Sequence, residues 1–405
     1  MEPIGLRFLN LSSITTSLGQ ILGLVGIVLF SINLILAGRF KFIDKYFKGL
    51  DKVYIKHSSL GAIAFSMLLF HPLFLVIKYI TVSTKEAALF FVPFINMPIT
   101  WGIISLFIMI VLISFTFYIK LKYHIWKISH KFMTVAFFFA IIHTILIPSD
   151  VSRNVFLRYY IVILSFTAFF VIIRKTFFDY FPFDKFKYKV KSVNNLNKDI
   201  VEVEMEPVNK KMRFSSGQFS FFSFKSKSLN KESHPFSISS SENDDNLKIT
   251  VKNLGDYTSI LSNIKKGDNV LIDGPYGSFS CKNANNLNQI WIAGGIGITP
   301  FLSMARTLGS EYKIDLFYSV KESEEAVCLK EIEEFSSKNP NFKFYLWDAS
   351  TKGYLNSGSI LNLGIKVDDK DIFLCGPPVF MESLKNQFVS IGVDLKKIHY
   401  ENFSF

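Results

Sequence analysis

Two regimes of hydrophobic patterning divide this chain. Up to about residue 176 the apolar residues come in long runs; from Phe186 onward they come in short strings separated by polar turns. Runs free of Asp, Glu, Lys and Arg cover Phe8–Gly38 (31 residues), His57–Ile77 (21), Ala87–Ile119 (33), Phe132–Ser149 (18) and Tyr159–Ile173 (15). A membrane span needs about 20 apolar residues, within a range of roughly 17–25, so the first four runs qualify. The fifth reaches span length if Arg158 and Arg174 lay their stems along apolar surface and keep their charges at the two interfaces. The first run is too long for one helix; its span is placed near residues 16–37, after an interfacial stretch. Five membrane helices are predicted. No short apolar region with a small-residue cleavage site opens the chain, so no removed signal peptide is expected.

The second regime begins after the turn-rich join Phe181-Pro182-Phe183-Asp184. Short strings at Phe186–Val190, Ile200–Met205, Phe219–Phe224, Leu247–Val251 and Asn269–Ile272 predict a small antiparallel barrel. After Leu287 strands alternate with helical patterns: Ile290–Ala293 then Pro300–Leu308, Lys313–Ser319 then Ala326–Ser336, Phe342–Trp347, and Asp371–Cys375 then Val379–Ile391. That alternation predicts an open α/β sheet. Three domains follow: residues 1–176, 177–284 and 285–405.

Charge sharpens the division. The net charge of +12 resides wholly in residues 1–176, with 17 basic and 5 acidic side chains; residues 177–405 carry 28 of each. A basic excess on the apolar half argues against nucleic-acid binding and for a membrane unit. Basic residues crowd the loop after the first span (Arg39, Lys41, Lys45, Lys48, Lys52, Lys56) and the loop before the fourth (Lys120, Lys122, Lys127, Lys131). The positive-inside rule puts both loops in the cytoplasm, with the N-terminus outside and everything after Lys175 inside. The three cysteines, Cys281, Cys328 and Cys375, all lie in the second half without a CxxC, which fits a reducing compartment.

Four of the seven histidines fall inside predicted spans: His57 and His71 on the second, His130 and His143 on the fourth. Ionisable groups within spans are costly and usually functional. At about 1.5 Å per residue His57 and His71 stand ~21 Å apart, and 14 steps of about 100° bring them within ~40° of one face. Paired by depth as His57 with His130 and His71 with His143, they describe a ladder of two bis-histidyl haems, suited to electron transfer with no open iron position. Four separate polar contacts between helices are the other reading. His130 to His143 is 13 steps, which leaves the two side chains ~140° apart on an ideal helix; a π or 3₁₀ irregularity is expected between them. His124, in the basic loop, reads as a surface residue.

Three motifs carry chemistry in the second half. Gly294-Gly295-Ile296-Gly297-Ile298-Thr299-Pro300 follows a strand and opens a helix, where glycines admit a pyrophosphate and the helix N-terminus favours its charge. His234-Pro235-Phe236-Ser237-Ile238-Ser239 offers backbone amides and small hydroxyls to a flavin and its phosphate. Cys375-Gly376-Pro377-Pro378 ends a strand at the carboxyl edge of the sheet, where ligands of such sheets bind. Each alone reads equally as a turn; their order makes the combination specific.

With Gly217-Gln218-Phe219, Gly255-Asp256-Tyr257-Thr258, Asp273–Gly277 and the terminal Tyr400–Phe405 added, the chain resembles bacterial members of the NADPH oxidase (NOX) family, within the ferric reductase superfamily. The resemblance implies a helical membrane bundle with two b-type haems, a ferredoxin-reductase-like β-barrel FAD domain and an α/β NADPH-binding domain. The family layout has six spans against the five read here, with all four histidines in place. By the same resemblance His234–Ser237 with Ser239 and Gly217–Phe219 contact FAD, and Gly255, Asp256 and Thr258 meet its phosphates. Gly294, Gly295, Gly297, Thr299 and Pro300 hold the NADPH pyrophosphate. Cys375, Gly376 and Pro377 lie by the nicotinamide, and Phe403 covers the flavin ring. Lys321, helped by Ser319, is the cation for the 2′-phosphate, although Glu322, Glu324 and Glu325 crowd it and family members often carry Arg there.

The expected activity is transmembrane: cytoplasmic NADPH, FAD, inner haem, outer haem, then external O₂ reduced to superoxide at the cell membrane. Arg153 or Arg158 could favour the developing anion, or could simply anchor a helix end. Ferric-chelate reduction by the same path, or relay to a periplasmic or membrane partner, are the alternatives. Lipid is the expected surrounding, and neither nucleic acid nor an obligatory protein activator is expected as a partner.

Overall fold

The computed structural model describes residues 9–81, 83–119, 121–177, 185–225 and 232–401. It separates into two units, one of residues 1–43 with 52–181, the other of residues 44–51 with 182–405.

Among its described residues the first unit contains five helices long and apolar enough to cross a membrane. They are α1 (Leu11–Leu36), α3 (Leu50–Ile80), α5 (Met97–Phe117), the pair α6 (Tyr123–Lys131) and α7 (Met133–Leu146), and α9 (Val155–Phe177). Short helices α2 (Lys41–Phe47), α4 (Thr84–Leu89) and α8 (Asp150–Arg153) connect them. The fifth span is longer than its charge-free run, because Arg158, Arg174 and Lys175 continue the helix at both ends. The 33-residue third run is divided instead, with Asn96 capping α5 through the Ile99 N–H.

Span packing follows small residues. Gly19, Gly23 and Gly26 line one face of α1, and a Cβ on each would meet Leu75, the His71 ring or Leu68 of α3 at 2.7–2.8 Å. Glycine there lets two backbones approach closely, the usual device where lipid removes the hydrophobic drive for helix pairing. Two hydroxyls inside the spans show how such groups are satisfied within the unit. Ser31 Oγ donates to the Ile27 carbonyl at 2.8 Å, and Ser105 Oγ crosses from α5 to the Ala136 carbonyl of α7 at 2.7 Å.

The expected irregularity between His130 and His143 is found at Phe132. There the Phe132 N–H donates to the Ser129 carbonyl, and the Val135 N–H to that of Phe132, each at 2.9 Å and each spanning three residues. A three-residue hydrogen bond winds the chain more tightly than an α-helix, which is the sense of correction that a 13-step spacing needs.

The second unit holds two sheets. Strands β1 (Phe186–Asn195), β2 (Ile200–Pro207), β3 (Phe219–Lys225), β4 (His234–Ser237), β5 (Leu247–Lys252) and β6 (Asn269–Tyr276) form an antiparallel sheet in the order β4-β3-β6-β1-β2-β5. An Ile238–Ile249 bridge joins its two edges, so the sheet nearly closes into a barrel. Inward-facing Tyr188, Val190, Val203, Met205, Phe222, Phe224, Ile249 and Ile272 fill it. Helix α10 (Asp256–Ser259) precedes β6.

Strands β7 (Asn288–Gly294), β8 (Lys313–Val320), β9 (Phe342–Asp348), β10 (Asp371–Cys375) and β11 (Ile398–Tyr400) form a parallel sheet in the order β11-β10-β7-β8-β9. Helices α11 (Ile298–Ala305), α12 (Leu329–Lys338), α13 (Ala349–Lys352), α14 (Ser357–Leu361) and α15 (Pro378–Ser390) accompany it. Alternate strand residues enter two cores: Trp291, Leu316 and Phe373 one, Ile290, Phe317 and Ile372 the other. A parallel sheet covered on both faces requires that double burial. Two strands were not expected from the sequence, β4 and β11. Both are too short to show alternation, and they pair because a neighbouring edge is open to them.

Residues Asp44–Asp51 belong to this second unit. The Gly277 N–H donates to Asp44 Oδ2 at 3.4 Å, and Ser278 Oγ donates to the Lys48 carbonyl at 2.5 Å.

Candidate functional site

The membrane unit brings the four span histidines together in two pairs. The ring centroids of His57 and His130 are 6.3 Å apart, and those of His71 and His143 are also 6.3 Å apart. Two imidazoles bound through Nε2 to opposite sides of one metal, at about 2 Å per bond with each centroid ~1.1 Å behind its nitrogen, stand about 6 Å apart. Three of the rings are also fixed in the tautomer such ligation needs. His57 Nδ1–H donates to the Asn33 carbonyl at 3.0 Å, His71 to Gly19 at 2.7 Å and His143 to Pro98 at 2.7 Å. A carbonyl only accepts, so each proton sits on Nδ1 and each Nε2 keeps its lone pair. Gly23 and Gly102 make room: a Cβ on either would stand 2.7 Å from His71 Nδ1 or 2.9 Å from His143 Nδ1. The residues present therefore fit two axial bis-histidyl haem sites. Among the described residues no cluster of three or more His, Cys, Asp or Glu could hold a bare metal ion.

In the second unit the backbone builds the site. Gly297 is forced by close approach, since a Cβ there would lie 2.2 Å from the Cys375 carbonyl oxygen. Gly294 and Gly376 also meet backbone to backbone, so the glycine loop after β7 and the Cys375 turn after β10 close on each other. Gly295 has a φ of +55° and open space where its Cβ would point. Thr299 Oγ1 donates to the Ile296 carbonyl at 3.0 Å and Thr299 is buried with Pro300, so both shape the first turn of α11. Cys375 is buried, and burial, with the Glu401 carboxylate adding to it, pushes its thiol above the usual range. It stays protonated and offers an apolar contact or weak donor, not a thiolate. Pro377 packs against Gly294 and precedes α15.

The two flavin motifs meet through their aromatic members. His234 of β4 stacks on Tyr257 with centroids 3.7 Å apart, and its Nε2 lies 3.3 Å from Glu232. Burial pushes the Tyr257 hydroxyl up to about 12. Pro235, Phe236 and Ser237 lie half-exposed along β4, whereas Ser239 is fully buried with its hydroxyl bonded by Thr250 at 3.1 Å. Thr250 alternates with the inward-facing Ile249 and Val251 on β5, so the Ser239 hydroxyl lies on the outer face of the barrel. Thr258 Oγ1 accepts from the Leu254 and Gly255 N–H groups at 2.9 and 3.0 Å, which shapes the turn that exposes Asp256. Gly217 has a φ of +99°, and a Cβ there would strike the Phe279 carbonyl. Gln218 Nε2 braces the Gly277 carbonyl at 2.8 Å, and Phe219 is buried.

Ser319 pairs with Gly294 near the carboxyl end of β8, and Lys321 is exposed directly after the strand. The adjoining Asp348 carboxyl is held down to about 2 by hydrogen bonds from Ser323 and Ser350, so the charge around Lys321 is mixed. Arg153 and Arg158 are exposed at the end of α8 and the start of α9. Phe403 lies outside the described residues.

Several residues at these sites were not singled out from sequence. The Gly19-x-x-x-Gly23 spacing in an apolar segment was a readable helix-packing signal. Asp44 and Glu401 were not readable, because an isolated acidic residue looks like surface.

The chain joins a multi-pass helical unit to a near-closed antiparallel barrel and a parallel α/β lobe. Residues 22–146 match the ferric reductase like transmembrane component, 185–280 an FAD-binding domain and 291–386 an oxidoreductase NAD-binding domain. The chain thus has the NADPH oxidase and ferric reductase-like architecture. It is similar to the toluate 1,2-dioxygenase electron transfer component of Pseudomonas putida, 28% identical over 185 residues, covering 43% of this chain and 54% of that protein. It is also similar to the reductase component of the glycine betaine monooxygenase of Pseudomonas aeruginosa, 28% identical over 154 residues, covering 35% of this chain and 42% of that protein. The chain spans about half the length, or less, of these curated relatives. Among solved structures it is similar to the Amycolatopsis cytochrome P450 reductase GcoB, with a TM-score of 0.48 and 20% identity over 54% of this chain and 69% of that one. A ferredoxin NADP+ reductase from Neisseria gonorrhoeae with bound FAD and NADP matches with a TM-score of 0.48 and 19% identity over 54% of this chain and 99% of that one.

Proposed function

We propose that the protein is a transmembrane NADPH oxidase. It takes electrons from NADPH at the cytoplasmic face of the cell membrane and delivers them through FAD and two b-type haems to O₂ outside, releasing superoxide. The observation that carries this reading is the repeated 6.3 Å histidine geometry at two levels of one bundle. When bound, FAD converts a hydride from the nicotinamide into single electrons and haem iron carries them one at a time.

The chain's residues hold, order and insulate these groups. His57 with His130 would hold one haem and His71 with His143 the other, and iron ligated by two imidazoles would supply one-electron transfer without binding O₂. The Gly294–Pro300 loop and the N-terminus of α11 hold the pyrophosphate of NADPH, Cys375 to Pro377 border its nicotinamide, and Lys321 with Ser319 meets the 2′-phosphate. Gly217 to Phe219, His234 to Ser237 and Gly255 to Thr258 would line the flavin. The overall change balances as NADPH + 2 O₂ → NADP⁺ + 2 O₂•⁻ + H⁺. Arg153 and Arg158 act as helix-end anchors.

The test is turnover of the purified full chain loaded with FAD and haem. The expected result is NADPH oxidation in air with two superoxide per NADPH and no added protein. Ferric-chelate reduction without oxygen, combined with no superoxide in air, would move the acceptor to iron chelates. Turnover only with an added protein would make the chain one relay component of a larger system.

A further inference from the structure

The four span histidines are not held alike. His57, His71 and His143 each donate Nδ1–H to a backbone carbonyl, but the Nδ1 of His130 is buried with no hydrogen-bond partner. A ligating imidazole is normally fixed by such a bond, which also sets its basicity. His130 has an aromatic face instead. The Trp126 indole, one helical turn earlier on α6, stacks on it with centroids 5.3 Å apart and planes 25° apart. The indole is itself aimed, because Trp126 Nε1–H donates to Thr116 Oγ1 at 3.2 Å, tying it to the end of α5.

We propose that Trp126 is a positioning residue for the inner haem: its stacked indole, held by Thr116, sets the ring plane of His130 in place of the missing hydrogen bond. This rests on the two-haem reading above. The position is forced by the helix irregularity just downstream. Ser129 and His130 both offer their carbonyls to the Phe132 N–H, which tightens the chain directly after the ligand. His130 therefore sits at the end of α6, where its ring is set by what packs on it. A loosened ring changes its rotation about the iron–nitrogen axis, and low-spin ferric spectra and midpoint potential both respond to that rotation. The other three ligands lack this dependence because their carbonyl partners fix them.

The experiment uses the full chain in lipid nanodiscs. It compares wild type with Trp126→Phe, Trp126→Leu and Thr116→Val. Low-temperature electron paramagnetic resonance and a potentiometric titration followed at the haem bands are the readouts. His71→Ala, lacking the outer haem, identifies the inner-haem signal. Trp126→Leu is expected to shift the g-values and midpoint of the inner haem alone. Thr116→Val should shift the same signal less, and Trp126→Phe, which keeps a stacked ring, should stay near wild type. Unchanged inner-haem signals in both Trp126→Leu and Thr116→Val, or equal shifts of both haems, would overturn the assignment. If Trp126→Leu does not accumulate folded, Thr116→Val decides. A wild-type protein that binds no pair of low-spin haems would overturn the two-haem reading itself, before any Trp126 variant is compared.

Discussion

The two units carry their chemistry in different parts of the polypeptide. In the membrane unit the groups that matter are side chains, four imidazoles projecting from helices, three of them oriented by backbone carbonyls. In the second unit the groups that matter are largely backbone, with loops stripped of side chains at Gly217, Gly294, Gly295, Gly297 and Gly376. A helix in lipid must satisfy its own backbone, so only side chains remain to ligate. A loop at the carboxyl end of a strand has spare N–H groups to offer an anion. The difference predicts different failures. Losing one ligand in the first unit should remove one cofactor, whereas adding one methyl in the second should close a binding surface.

The largest expected effect comes from His71→Ala or His143→Ala. Each should lower haem content from two towards one per chain and abolish output at the outer face. Flavin should still be reduced by NADPH, because the nucleotide and flavin motifs lie outside the membrane unit. His57→Ala or His130→Ala should also stop output, but the remaining outer haem should then receive no electrons from FAD. Anaerobic absorbance at the flavin and haem bands separates these cases. Full two-haem occupancy after any single replacement would remove that histidine from the ligands, and would break the contrast between the units.

Next in size is Gly297→Ala. Its methyl would enter the space of the Cys375 carbonyl, 2.2 Å away, and neither side is a flexible side chain. Overpacking of about 1–3 kcal/mol, if it falls on the loop, corresponds to roughly 5- to 150-fold weaker NADPH binding, with FAD and haem content unchanged. Gly295→Ala meets open space and only the strain of a positive φ, about 1 kcal/mol, so its effect should be smaller. Equal effects at the two positions, read by NADPH titration of flavin fluorescence, would show that close approach is not what the loop requires.

These positions also mark what could be read from the chain directly. The spans, the four histidines and the glycine motifs were legible because length, charge exclusion and fixed spacing are local properties. The break at Phe132 was legible as well, from the mismatch between 13 residues and the helical period. What Gly23 packs against was not, because a GxxxG stripe says that a partner comes close but not which one. Trp126 was missed for a related reason: an aromatic beside a basic loop looks like an interface anchor until its stacking partner is known. Strands β4 and β11 were missed because three or four residues cannot display a period.

A finer comparison lies within the membrane unit. Gly23→Ala and Gly102→Ala would press on the Nδ1 edges of His71 and His143 at 2.7 and 2.9 Å, and no described glycine presses on His57 or His130 in this way. Both substitutions should disturb the outer haem, by partial loss or a shifted spectrum, and leave the inner one as in wild type. Loss of both haems together would mean that the α1 stripe supports the whole bundle and not the outer ligand pair.

The smallest expected effect concerns the one stretch of the span-connecting sequence that groups with the second unit. Asp44 is buried, its Oδ2 accepts the Gly277 N–H, and its Oδ1 has no hydrogen-bond partner. Burial raises its pKa from 3.8 to about 6, with the nearby Asp51 carboxylate adding to the rise against the Gly277 hydrogen bond. The sign follows from proton binding. Between pH ~4 and ~6 the folded contact holds a proton that the released segment gives up, so the contact weakens as pH rises through that window and levels off above it. Amide exchange at Gly277 and Ser278, corrected for its intrinsic pH dependence, should accelerate from pH 4 to 6 and then flatten. Asp44→Asn keeps the shape and the acceptor but cannot ionise, so its profile should be flat and protected throughout. A wild-type profile that is already flat would mean Asp44 is ionised across this range, and the buried acid would then need a cation partner to explain it.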